Sequence, residues 1–268
     1  MFEFTANGAL LRLGCFALIL ALMITWEFLA PLRQRRLRRG ARWPHNLALT
    51  VVNTLCLKLL VPFAAMEAAV FAAAREQGLL NLVDIGIVPA VVVTVLVFDF
   101  AIYVQHRVFH AVPLLWRLHR VHHTDRDLDT TTAVRFHPVE IVLSMLIKVA
   151  LVLALGAPAA GVLLFEIILN GSALFNHGDV AIPEPLDRRI KRLIVTPSMH
   201  QVHHSVHAID HSSNFGFFFS VWDRLLGTYR SNSDDAQADM RFGITTVDPD
   251  ETVTLGRLLR QPLLREPA

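Results

Sequence analysis

Residues 106–123 read H-R-V-F-H-A-V-P-L-L-W-R-L-H-R-V-H-H. They hold His106 and His110 in an H-x3-H spacing, then His119, His122 and His123 in an H-x2-H-H spacing. Residues three or four apart on a helix lie one above the other, so each part lines its imidazoles along one face at a separation that a metal ion bridges. The H-x2-H-H spacing returns at His200, His203 and His204. A single histidine is most often an ordinary packed or surface residue, whereas groups repeated at helical spacing form a metal-ligand pattern. With His177, nine histidines stand in grouped positions. That number exceeds the four ligands of one closed zinc site and suits two ions. Imidazole nitrogen is compatible with iron, zinc, copper or nickel.

The surrounding chain has the composition of a membrane protein. Of its 268 residues 53% are hydrophobic and only 18% charged, and the mean hydropathy is +0.45, unusual values for a soluble domain. A net charge of +2 argues neither for a nucleic-acid partner nor for a strongly acidic one. Cys15 and Cys56 both lie in apolar runs, so they indicate neither a disulfide framework nor thiolate ligation.

Three apolar segments precede the histidines, at about 10–32, 46–74 and 87–105. The first is long enough to cross a hydrocarbon core of ~30 Å at ~1.5 Å per residue. It lacks a clear cleavage site and reads as a retained anchor. The run Arg33, Arg35, Arg36, Arg38, Arg39 and Arg42 follows at once. Cationic loops stay cytoplasmic, so the N-terminus is expected outside. The second segment contains Lys58 and Pro62 and spans with tilt or a kink. The third carries Asp99 at its lower end and runs directly into His106.

Downstream, residues 124–132 are polar and turn-like, and the apolar stretch 139–175 is divided by Gly156, Ala157 and Pro158. Such punctuation marks a turn between two antiparallel helices that enter and leave on the same side. The aromatic run 215–222 reads as membrane-interface or core packing. The expected fold is an all-α integral membrane protein, one domain over 1–268. It has four transmembrane helices and a cytoplasmic helical cap that carries the histidine cluster. In this reading an even number of spans keeps every histidine on one side, with 230–268 as a cytoplasmic tail.

Three chemistries are compatible with the histidines alone. A zinc hydrolase of the H-E-x-x-H kind carries a glutamate as general base. Here the spaces hold Arg107, Val108 and Phe109, or Arg120 and Val121, so Asp125, Asp210 or Glu140 would have to fold in. A non-catalytic or transporting metal site is the second, although transport ligands usually sit at mid-span. Redox chemistry is the third.

Seven motifs occur in order between about 99 and 229: H-R-V-F-H, H-R-V-H-H, R-F-H-P-V-E, F-N-H, T-P-S-M-H-Q-V-H-H, N-F-G and W-D-R-L-L-G-T-Y. In these the chain resembles the fatty acid hydroxylase and sterol desaturase superfamily of integral-membrane, non-haem di-iron enzymes. The resemblance implies that His106, His110, His119, His122, His123, His200, His203 and His204 bind two ferrous ions, with His177 at the intervening ligand position. Some members place a second histidine near that position, where this chain has Asn176. It also implies O2-dependent hydroxylation or desaturation of a lipid C–H bond, the lipid entering from the bilayer. Electrons would come from a separate ferredoxin- or cytochrome-type donor, for which the arginines within 117–126 and 188–192 offer a basic surface. His137 reads equally as an interfacial group or as one supporting the metals. His207 and His211 read as surface residues or extra imidazoles near the metals, and Asp210 and Asp223 as carboxylates that orient ligand histidines through the second ring nitrogen.

Overall fold

The computed structural model describes residues 2–61, 63–83, 85–233, 235, 238–247 and 254–264. Its first helices are α1 (Phe2–Leu29), α2 (Arg39–Leu60), α3 (Ala65–Ala74), α4 (Ile87–Ala111) and α5 (Pro113–His123). Then come α6 (Pro138–Leu155), α7 (Ala159–Asn176), α8 (Glu184–Ile190) and α9 (Pro197–His203), with short helices at Ala208–His211, Val221–Leu225 and Leu255–Arg260. Among the described residues there is no named strand, only isolated bridges such as Ile194 with Phe219.

Five helical stretches are long and apolar enough to cross a membrane: Asn7–Leu29, Arg39–Asn81, Ile87–Ala111, Pro138–Leu155 and Ala159–Asn176. They mark an all-helical, multi-pass membrane protein with five candidate spans; the expected count of four falls one short of the three segments and the helix pair named for it. The second stretch is interrupted between Leu60 and Ala65; Pro62, read as its kink, lies outside the described residues. Outward faces carry exposed Leu11, Leu18, Leu22, Leu55, Leu59, Val92 and Leu146, as a surface solvated by acyl chains requires.

The bundle core is made of small and aromatic residues. Ala65, Ala68 and Ala69 of α3 pack with Val95 and Phe98 of α4, Val152 of α6 and Phe165 of α7. Phe98 meets Phe165 edge to face, their centroids 5.3 Å apart. Small residues let apolar helices approach closely where no hydrophobic effect drives them together.

The turn expected at Gly156 is present. Gly156 closes α6 in the left-handed region (φ 66°), and Pro158 precedes α7. Gly78 (φ 95°) lies against it so closely that a Cβ there would fall 2.1 Å from the Gly156 nitrogen. This contact fixes the bundle end remote from the histidines. α6 leaves the histidine end and α7 returns to it, so the two H-x2-H-H groups share one end because a helix pair separates them. The parity of the total is immaterial, contrary to the expectation drawn from an even count.

At the histidine end the interior is polar. The basic run after α1 is not simply a solvated loop: Arg42 is buried and forks onto Asp125 with Nε–Oδ1 2.7 Å and Nη2–Oδ2 2.6 Å, while its Nη1 reaches Asp129 at 2.8 Å. Glu27 at the foot of α1 accepts from the Thr130 N–H at 2.7 Å and the Asp179 N–H at 3.0 Å. Arg135 donates to the Val121 carbonyl and the Thr124 hydroxyl, each at 2.9 Å. The segment expected as a polar turn is therefore largely buried and pinned directly behind His122 and His123. Burial pushes Arg135 down to about 10; Asp125, which burial alone would raise, is held well below the usual carboxylate range by Arg42 and Arg135. The described part of the tail also docks, with Leu258 buried against Leu49 and Val121.

Candidate metal centre

α4 carries His106 and His110 one turn apart at its end, and Pro113 starts α5 after a corner of one residue, Val112. On α5 the i, i+4 pair His119 and His123 shares one face, while His122 points to another. On α9 and its cap, His200 and His204 form the same i, i+4 pair and His203 the outlier. The two helices use this pattern in opposite senses. His119 and His123 join His106, His110 and His203 in one group; His200 and His204 join His122 and His177 in the other. Within each group the candidate ligand atoms lie within 4.8 Å of one another. All nine histidines singled out in the sequence are thus gathered into a group of five and a group of four. Each H-x2-H-H straddles both groups, and rings from the two stack across the boundary, His123 on His204 at 4.4 Å.

Four rings are oriented from behind. The Nδ1–H of His106 donates to the Phe215 carbonyl at 2.8 Å, that of His203 to Ser213 at 2.7 Å, and that of His177 to Ala173 at 2.7 Å. His119 Nδ1 meets Glu140 Oε1 at 2.7 Å. Such bonds fix the tautomer and turn the Nε2 lone pair inward. In the group of four, Nε2 atoms face each other at 3.0 Å (His122 and His177), 3.1 Å (His177 and His200) and 3.2 Å (His200 and His204). In the other group His119 and His123 do so at 3.3 Å, and the Nε2 atoms of His106, His110 and His203 are buried without a hydrogen-bond partner among the described residues. Ligands ~2.0–2.1 Å from one ion stand about 2.9–3.3 Å apart for octahedral to tetrahedral angles. Converging lone pairs at that spacing repel unless a cation lies between them, so the residues fit one metal ion per group.

The electrostatics agree. Burial pushes His122, His123, His200, His203 and His204 well below the ordinary imidazole value and His177 down to about 4. Neutral imidazole is the ligating form. Phe136 stacks on His122 at 4.3 Å, and Phe215 lies 5.5 Å from both His106 and His203, giving apolar walls.

The supporting residues read from sequence are placed differently. Asp223 accepts from the Phe215 and Gly216 N–H groups, both at 2.8 Å, and from Thr228 at 2.7 Å. It holds the loop whose carbonyl orients His106. Asp210 pairs with Arg230 at 2.6 Å and acts on the segment that offers the Ser213 carbonyl. His137 caps α6, accepting from Val139 N–H at 3.3 Å, and His207 pairs with Asp235 at 3.2 Å; neither belongs to the two groups. His211 is half-buried, its ring 5.3 Å from that of His123, and is likewise outside them. Two carboxylates have partners that the sequence does not show. Glu140 was weighed only as a base, although it follows a helix-starting proline by two residues. Asp99, within α4, accepts from the Phe218 and Phe219 N–H groups and from Trp222 Nε1 at 2.8 Å, tying the N-F-G loop to the span. Arg120, counted with the basic surface, is buried and donates to the Gln261 and Leu264 carbonyls, each at 2.6 Å.

A family model described as fatty acid hydroxylase matches residues 91–228, half of the chain and all nine grouped histidines. The chain belongs to the fatty acid hydroxylase family. It is 30% identical over 156 residues to an ornithine lipid hydroxylase of Rhizobium tropici, covering 58% of this chain and 45% of that protein. It is 25% identical over 156 residues to a human alkylglycerol monooxygenase, 56% and 33% of the two chains. With a Delta(7)-sterol 5(6)-desaturase of Aspergillus fumigatus it shares 30% identity over 133 residues, 49% and 36%. The matched part spans less than half of the length of these relatives. No solved structure matches.

Proposed function

We propose that this family member is a membrane-bound, non-haem di-iron oxidoreductase that uses O2 to hydroxylate or desaturate a C–H bond of a lipid. The observation that carries the reading is the pair of all-nitrogen histidine groups at one end of an apolar bundle, in a chain whose relatives are named as lipid hydroxylases, monooxygenases and a desaturase. His106, His110, His119, His123 and His203 would hold one ferrous ion and His122, His177, His200 and His204 the other. Iron so bound supplies the one-electron and dioxygen chemistry that amino-acid side chains lack.

The chain's own part is to keep the imidazoles neutral, to fix their tautomers through Glu140 and the carbonyls of Ser213, Phe215 and Ala173, and to exclude water with Phe136 and Phe215. The carboxylates that a hydrolase would need are engaged elsewhere: Asp125 with Arg42, Asp210 with Arg230, Glu140 with His119. The concentration of arginine between α1 and α2 supports a cytoplasmic histidine end with the N-terminus outside. The lipid enters from the bilayer and electrons come from a separate ferredoxin- or cytochrome-type donor.

Comparative lipid mass spectrometry of cells expressing wild-type or His203→Ala protein tests the reading. A lipid that gains one oxygen or loses two hydrogens only with the wild type is expected. Identical lipid profiles, or a product retained by the variant at equal expression, would reject it.

A further inference from the structure

A cavity of about 480 Å3 opens at the histidine end between the loop that leaves α1, residues 126–128 and the segment around Met240. Its size is that of a small-ligand site, and no histidine lines it. Three cations face it with donors to spare. The Arg33 side chain is only 8% exposed; it grips Asp179 Oδ1 through Nε at 3.0 Å and Nη2 at 2.9 Å, and it lies over the Phe242 ring at 4.2 Å. Its Nη1 is buried with no hydrogen-bond partner among the described residues. Arg36 and Arg126 are exposed at the rim, and among the described residues no ion pair or hydrogen bond engages either side chain.

The acids in the lining are largely occupied. Asp179 is shared by Arg33 and Arg35, and Asp127 accepts the Arg36 and Leu37 backbone N–H groups. Among the described lining residues Asp239, exposed at the rim, is the one carboxylate without such a contact. The wall therefore has a cationic surplus and an unused buried guanidinium donor. Guanidinium groups converging from two chain segments match an oxyanion with several acceptor oxygens, a phosphate above all. The cavity begins three residues beyond the end of α1, the depth at which basic pockets of membrane proteins meet lipid headgroups.

We propose that this cavity binds a phosphate ester, independently of the metal site. The volume holds more than the anion itself, and the position puts the phosphodiester of an anionic phospholipid first among its sources, with a soluble phosphate monoester second.

Binding of phosphatidylglycerol, phosphatidylcholine and glycerol 3-phosphate to the purified full chain, followed by native mass spectrometry with thermal melting as a fold check, tests this. The variants are Arg36→Gln/Arg126→Gln and a charge-matched control at the same end, Arg189→Gln/Arg192→Gln. Phosphatidylglycerol is expected to bind wild type and control roughly tenfold more tightly than phosphatidylcholine, and the rim variant to lose that preference. Glycerol 3-phosphate binding with the same variant dependence, without lipid preference, would uphold the site and assign it to a soluble ester. Absence of any anion preference in the wild type, its survival in the rim variant, or its equal loss in the control would overturn the proposal.

Discussion

Glu140 is the carboxylate that meets a ring of the five-histidine group directly, and its removal tests whether that group is a metal site. Its side chain is 4% exposed and that of His119 3%, so water screens little of their 2.7 Å contact. A hydrogen bond to a charged group is worth about 1.5–3 kcal/mol, which corresponds to roughly 10- to 100-fold in a dissociation constant. The same range is expected when the partner behind a metal-bound histidine is lost. Glu140→Ala should therefore weaken metal binding at the five-histidine group by about that factor. Glu140→Gln keeps an acceptor for Nδ1–H but removes the charge, and should fall between the two. In the metal-free protein the order reverses. Glu140 Oε2 is buried without a hydrogen-bond partner among the described residues, so the neutral amide relieves a buried charge and the Gln variant should melt no lower than wild type. Chelator-buffered titration with ferrous ion, alongside thermal melting with and without metal, reads both effects. Wild-type affinity in both variants would show that His119 does not ligate, and the assignment of the first group would fail.

Other outcomes follow from the framework around the site. Arg42→Met leaves Asp125 buried without its ion-pair partner and Asp129 with Arg35 alone, and should cost about 3–5 kcal/mol; thermal melting checks this, and Arg42→Met/Asp125→Asn should recover part of the loss. Gly78→Ala sets a Cβ against the Gly156 backbone at positive φ and should destabilise by more than about 1 kcal/mol, whereas Gly40→Ala, in α2 with nothing within 4 Å, should be neutral or stabilising. For acid, the sign follows from His177, which burial lowers from 6.5 to about 4. Between those values the unfolded chain binds the extra proton, so the stability of the metal-free protein is full above pH 6.5 and falls with acid by about 3 kcal/mol from this group by pH 4. A melting temperature flat across that window would contradict the burial of a neutral His177.

Much of this arrangement was legible from residues alone, because helical spacing is a local property. The i, i+4 and i+3 positions of H-x2-H-H state that imidazoles will share and split faces, and Gly156 with Pro158 marks the hairpin that returns the chain to its starting end. The partition of the histidines was not legible. That His203 joins the α4 pair while His122 joins His177 depends on how α9 approaches α5, a tertiary fact. Nor does sequence separate a solvated arginine from a buried one. Arg42 and Asp125 both read as membrane-edge polar residues, and only the folding back of residues 124–135 beneath α2 turns them into a buried pair. The partners of Glu140 and Asp99 are not legible either, because a lone acid in an apolar stretch has no partner until the fold supplies one.

The central claim is that imidazoles from four helices build two separate iron centres. Metal content of purified protein after iron-supplemented expression tests it most directly, compared across wild type, His119→Ala/His123→Ala and His200→Ala/His204→Ala. The account predicts two iron ions in the wild type and one in each double variant, matching the two groups. One zinc ion per chain in the wild type, or loss of all metal from either variant alone, would contradict it.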